Sequence, residues 1–206
     1  MSVSRSIISR TADAYSCLVD EFIDATRSYG RYPGLDQELR EFVAGLPAGA
    51  ILDIGCGSGR DSFLVKALGR QVIASDISSA MLDRLRPTML RGSLVCCDVT
   101  QMAFVDNSFA GVIASGVVLH LPRDLCKSAL IEIERVLIPN GNVAISMKRG
   151  RGEGWRSTEE FPLRRWFSYY MPTEFACLCE EAGLSVASVA ITKRGDWFVV
   201  NAVKLG

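Results

Sequence analysis

The chain has 206 residues, 49 % apolar and 22 % charged, with 23 Lys and Arg balanced by 23 Asp and Glu. That size and composition suit one ordinary globular domain and exclude a disordered or fibrous chain. The zero formal charge argues against a protein that grips DNA by its phosphates, and no uncharged apolar run reaches the roughly 18 residues of a membrane span.

The amino-terminal stretch is rich in Ser and Arg and lacks the apolar core of a signal peptide, so a cytoplasmic chain is expected. The seven cysteines show no CxxC spacing, which predicts buried, reduced thiols and no metal site. An amphipathic pattern predicts a helix over Asp13 to Arg27, then a polar turn to Gly34 and a second helix from Leu35 to Leu46. Residues 1–48 thus read as a helical cap on a single domain spanning 1–206. Strands are predicted over Ala50–Ile54, Gln71–Ser75, Ser93–Cys97, Phe109–Ala114 and Asn142–Met147. Helices alternate with them from Asp61 to Leu68, after Ser78 or Ser79, and after Pro122, where Leu125, Ala129, Ile133 and Val136 form a stripe. Pro139-Asn140-Gly141 reads as a turn. Thr173 and Gly183 bracket a last helix. Two strands follow, Leu184–Thr192 and Trp197–Lys204, joined near Lys193-Arg194-Gly195 with no room for a helix. The expected architecture is α/β: a seven-stranded, mostly parallel sheet with helices on both faces and a carboxy-terminal antiparallel hairpin.

The chemistry concentrates at Ile51 to Asp61, ILDIGCGSGRD. An apolar strand runs into three alternating glycines and then a helix, at the end of the sheet where α/β ligands bind. This spacing is not the Gly-x-Gly-x-x-Gly of dinucleotide sites, because Arg60 stands at the third glycine's position. Asp53 just before the turn would repel a pyrophosphate and suits a ligand with a cationic end. Asp76 ends the second strand, where an acid accepts from a ribose diol. Asp98 ends the third, where it meets an exocyclic amine. The plainer alternative for Asp53 and Asp98 is that they only cap strand ends or helix starts.

With VIASDIS, CCDV and FAGVIAS following in order, Ile51 to Met147 resembles the class I (Rossmann-like) S-adenosylmethionine-dependent methyltransferases. The resemblance implies that fold, S-adenosylmethionine as cofactor, and methyl transfer to an O, N or C atom of a small molecule or short peptide. It implies that Gly55, Cys56, Gly57 and Gly59 border the methionine part, with Asp53 near its ammonium. It further implies Asp76 on the ribose, Ile77 and Met81 flanking adenine, Asp98 and Val99 at its edge, and Ala114 and Ser115 near the sulfonium. Tyr15 would close the pocket. The family's usual Asp is replaced by Ala110, and no Asn-Pro-Pro-Tyr sequence follows the fourth strand, which argues against adenine or glutamine acceptors.

His120, the single histidine, is the candidate general base; a residue that shapes the pocket or caps a helix is the alternative. Residues 148–172 form the expected substrate-side loop, glycine-rich and mobile, with Lys148, Trp155, Arg156, Tyr169 and Tyr170 as candidate contacts. A solvated loop over an aromatic cluster has the same composition. An RNA- or protein-modifying enzyme and a non-catalytic accessory protein that binds the cofactor remain the alternatives. The oligomeric state is left open.

Overall fold

The computed structural model describes residues 3–89, 92–193 and 195–206. Seven strands form one sheet: β1 (Ile51–Ile54), β2 (Val72–Asp76), β3 (Leu94–Cys96), β4 (Phe109–Ser115), β5 (Leu137–Lys148), β8 (Leu184–Ile191) and β9 (Trp197–Lys204). Their order is β3-β2-β1-β4-β5-β9-β8, with the first five parallel and β9 antiparallel to both neighbours. This is the expected doubly wound sheet with its terminal hairpin. Of the predicted hairpin junction, Arg194 lies outside the described residues.

The two-residue period of a strand sorts the central sheet into two cores. Leu52, Ile54, Val112 and Ala114 face one, with α6 (Arg123–Val136) and α7 (Pro172–Glu181). Ile51, Val72, Ala74 and Ile113 face the other, with α3 (Leu35–Ala44), α4 (Arg60–Ala67) and α5 (Ser79–Leu85). Helix α6 has no side-chain cap, yet it buries Cys126, Ala129, Leu130, Ile133 and Val136. At ~1.5–3 kcal/mol for each large aliphatic chain, that burial outweighs a missing cap of ~1 kcal/mol.

Several boundaries differ from expectation. The first helix begins at Val3, not Asp13, and breaks at Leu18 into α1 (Val3–Cys17) and α2 (Val19–Thr26). Pro139 to Gly141 does not separate two elements. It is absorbed as a bulge within β5, where pairing jumps from Phe109↔Leu137 to Gly111↔Asn142 and Asn140 takes φ 62°. Helix α7 starts one residue before Thr173, and Glu174 accepts from the Met171 backbone N–H.

The largest correction concerns 148–172. In place of a loop, β6 (Glu153–Arg156) and β7 (Arg165–Ser168) pair antiparallel as a separate two-stranded sheet. Cys56, Cys126 and Cys179 are buried, whereas Cys17, Cys96 and Cys177 are exposed, so the thiols are not uniformly interior. No helix among the described residues is long and apolar enough to cross a membrane, and no cluster of three or more metal-ligating side chains occurs among them.

Candidate cofactor crevice and outer chamber

The parallel strands β1, β2 and β4 finish side by side, and a crevice of about 790 Å³ opens beyond their carboxyl ends. Its floor is the glycine turn, with Gly55 at φ 62° and Gly57 at φ 49°, a left-handed backbone that favours glycine. A Cβ on Gly57 would stand 2.8 Å from the Phe22 ring, so the turn also needs the space.

Asp76 ties this turn to the next helix. One carboxylate oxygen accepts from the Gly57 N–H at 3.0 Å, the other from the Ser78 N–H at 2.9 Å. Burial raises its pKa against the pull of those N–H donors. Ser78 caps α5 by accepting from Met81, and its hydroxyl meets Ser16 on α1 at 2.7 Å. Asp98 holds Thr100 through one oxygen, which accepts from both the backbone N–H and the hydroxyl at 2.8 Å. Among the described residues, no Lys or Arg lines this crevice. A phosphate would therefore find acids and apolar walls, whereas a phosphate-free nucleoside, whose hydroxyls and amine donate, suits these carboxylate acceptors.

Of the expected cofactor residues, Tyr15, Gly55, Gly57, Asp76, Ile77, Met81, Asp98, Val99 and Ser115 all line the crevice. Four stand elsewhere. Asp53 and Cys56 line an adjoining outer chamber. Gly59 caps α4 against Leu85 and Phe63. Ala114 is fully buried, because strand alternation turns it into the core beneath α6 and leaves Ser115 at the crevice. Ala110 is likewise core, packed near Gly49.

Sequence reasoning missed Ile8, Thr11 and Ala12, which wall the crevice from α1. With Tyr15 they follow an i, i+3, i+4, i+7 pattern. The helical spacing extends upstream of Asp13, and the helix begins at Val3.

The outer chamber, about 1230 Å³, shares Tyr15, Phe22, Gly55, Gly57, Ser115 and His120 with the crevice. The Tyr15 hydroxyl lies 2.8 Å from His120 Nε2, and His120 Nδ1 lies 2.6 Å from the Trp166 carbonyl oxygen. A carbonyl only accepts, so Nδ1 carries the proton and Nε2 is the acceptor from Tyr15. Burial pushes the His120 pKa down to about 4, keeping the ring neutral. Burial likewise raises the Tyr15 hydroxyl.

Asp53 accepts from the Ser62 hydroxyl, and burial together with the nearby Asp61 carboxylate lifts its pKa above the usual range. Burial would raise Asp61 too, but the Arg60 guanidinium and the Tyr29 hydroxyl at 2.8 Å hold it low. Asp61 was not expected from the sequence. Its only mark was to follow the glycine turn.

Among the expected acceptor contacts, Lys148 lines the outer chamber, and the others lie outside both cavities. Trp155 packs edge-on against Trp166 and under Arg10. Arg156 is exposed and donates to its neighbour's carbonyl. Tyr169 stacks on Phe167, and Tyr170 is buried against Phe175. The reason is the β6–β7 ribbon: alternation on β7 sends Arg165 and Phe167 to the chamber and Trp166 to the opposite side.

Known proteins resemble this chain in sequence and in fold. A family model described as a methyltransferase domain matches residues 51–141. The malonyl-[acyl-carrier protein] O-methyltransferase of Serratia marcescens is 27 % identical over 147 residues, covering 67 % of this chain and 57 % of that protein. The 18S rRNA (guanine-N(7))-methyltransferase of Schizosaccharomyces pombe is 35 % identical over 102 residues, 48 % of this chain and 38 % of that one. The chain thus spans about half the length, or less, of these curated relatives. In fold, the Burkholderia thailandensis 1,6-didemethyltoxoflavin-N1-methyltransferase superposes over 100 % of this chain and 92 % of its own, with TM-score 0.78 at 19 % identity.

Proposed function

Given that the chain belongs to the class I S-adenosylmethionine-dependent methyltransferases, we propose that it transfers a methyl group to an O, N or C atom of a small molecule or short peptide. The observation that carries this reading is the junction of two cavities. A crevice with acids at the ends of β2 and β3 and, among the described residues, no lining cation opens past Tyr15 and His120 into a chamber walled by aromatic side chains.

When bound, the cofactor supplies a sulfonium methyl, an electrophile that needs no further activation. The protein's task is then mainly alignment and exclusion of water. Asp76 and Asp98 would hold the nucleoside, while Asp53 would face the ammonium. Phe22 and Tyr15 would shield the junction. Where the acceptor must lose a proton, His120 Nε2 is the base, reached directly or through the Tyr15 hydroxyl. Lys148 would contribute to the acceptor's side.

The relatives act on unlike acceptors by name, malonyl-[acyl-carrier protein], an rRNA guanine and 1,6-didemethyltoxoflavin. The acceptor therefore cannot be carried across from any of them. A neutral net charge supports a small one over RNA. We place the activity in the cytoplasm, where the free thiols stay reduced.

The test is transfer of isotope-labelled methyl from S-adenosylmethionine to a library of phenols, amines, carboxylic acids, peptides and total RNA. Label in a small-molecule or peptide fraction is expected. Label only in RNA, or cofactor binding without transfer to any class, would overturn the proposal.

A further inference from the structure

Among the described residues, four Lys and Arg side chains line the outer chamber, and three of them are already paired. Arg31 bonds Glu160, Arg60 bonds Asp61, and Lys148 Nζ lies 3.2 Å from an Asp196 oxygen. Arg165 differs. Only 5 % of it is exposed, and no carboxylate lies at ion-pair distance among the described residues. Its Nη1 donates to the Tyr15 hydroxyl at 3.3 Å, while its buried Nε has no hydrogen-bond partner. The guanidinium sits among the rings of Tyr15, Phe161 and Phe167, at 5.3, 4.9 and 5.5 Å from their centroids.

Aromatic faces offset part of the cost of burying a cation. They do not satisfy five N–H donors, and a buried charge without a counter-charge is expensive. The arrangement is therefore incomplete without an anion. One guanidinium in apolar walls matches a single negative charge with a planar fork, a carboxylate, better than a doubly charged phosphate.

Resting on the reading that this chamber receives the methyl acceptor, we propose that Arg165 anchors a carboxylate of that acceptor. The acceptor is then a flat, apolar, singly charged acid. Phe161 and Phe167 flank its body, and the anchored end lies beside the Tyr15 hydroxyl. The competing source of a carboxylate is the amino-acid end of the cofactor itself. Asp53, proposed to face the cofactor's ammonium, lines the same chamber as Arg165, so saturation with S-adenosylhomocysteine is what separates the two sources.

The experiment titrates hydroxybenzoates and aminobenzoates, each beside its neutral amide, into protein saturated with S-adenosylhomocysteine. Wild type, Arg165→Gln and Arg165→Lys are compared. Wild type should bind the acids about tenfold more tightly than the amides, a preference that one charge-assisted fork can supply. Arg165→Gln should abolish that preference, and Arg165→Lys should keep part of it. Both should bind S-adenosylhomocysteine within about threefold of wild type, a difference below ~1 kcal/mol. Should the glutamine variant not fold, a lysine variant with undiminished acid preference sinks the proposal. No preference for acids in wild type overturns it, as does a preference that survives Arg165→Gln. A loss of S-adenosylhomocysteine affinity of about tenfold or more in Arg165→Gln would assign the anchor to the cofactor. Failure of wild type to bind S-adenosylhomocysteine at all would instead overturn the methyltransferase reading, and titration without it would still decide the anchor.

Discussion

Tyr15 on α1 and His120 after β4 form one unit: the phenol oxygen lies 2.8 Å from Nε2, and the Trp166 carbonyl fixes the ring from its other side. A residue expected to close the pocket and a residue expected to take a proton thus share a hydrogen bond. The contact joins the amino-terminal helix, the sheet end and the β6–β7 ribbon at the mouth of the crevice.

Neutral His120 makes the fold acid-sensitive. The unfolded chain takes a proton on histidine near pH 6.5, whereas the folded ring resists until about pH 4. Between those values the unfolded state binds more protons, so stability rises with pH and is lost as pH falls from 6.5 toward 4. The loss is on the order of 2 kcal/mol. Urea unfolding at stepped pH should show it, and His120→Gln should flatten the profile in that window. An equally steep profile in the variant would assign the acid sensitivity to other groups.

Asp76 should be the residue most costly to cofactor affinity. Asp76→Ala removes the proposed ribose acceptor and frees the Gly57 and Ser78 N–H groups together. Calorimetry should find S-adenosylhomocysteine bound at least about thirtyfold more weakly, ~2 kcal/mol. Affinity within twofold of wild type would mean the ribose lies elsewhere.

Gly57→Ala tests the turn itself. The left-handed backbone and the 2.8 Å approach to Phe22 should cost ~1–2 kcal/mol or more. In a chain of this size that lowers Tm by roughly 2–8 °C. Unchanged Tm with full cofactor binding would show that the turn tolerates a side chain.

Trp155 was expected at the acceptor and stands outside both cavities. Trp155→Ala should therefore lose on the order of 1 kcal/mol of stability, from its contacts with Trp166 and Arg10, and leave S-adenosylhomocysteine affinity unchanged. Near-wild-type stability with a tenfold fall in turnover would return Trp155 to the site.

The central sheet and the deep crevice were legible in the sequence because they rest on local signals. Those signals are apolar strands, a glycine turn that needs left-handed backbone, and acids at strand ends. The acceptor side was legible only in part, in that Lys148 lines the chamber as expected. Arg165 and Phe167 reach the chamber only because β6 and β7 pair, and that pairing turns Trp155 elsewhere; Tyr170 lies past the end of β7 and packs on Phe175. Such a register depends on contacts distant in sequence, which composition does not encode. The crevice wall of Ile8, Thr11 and Ala12 failed for a smaller reason: helical spacing continued upstream of the residue taken as the start.

On this reading, the crevice beyond β1, β2 and β4 takes a phosphate-free, cationic nucleoside. Calorimetric titration of purified protein with S-adenosylmethionine, S-adenosylhomocysteine and NAD tests it most directly. Saturable binding of the first two with none of NAD is the predicted result. Tight binding of NAD with neither of the others would contradict it.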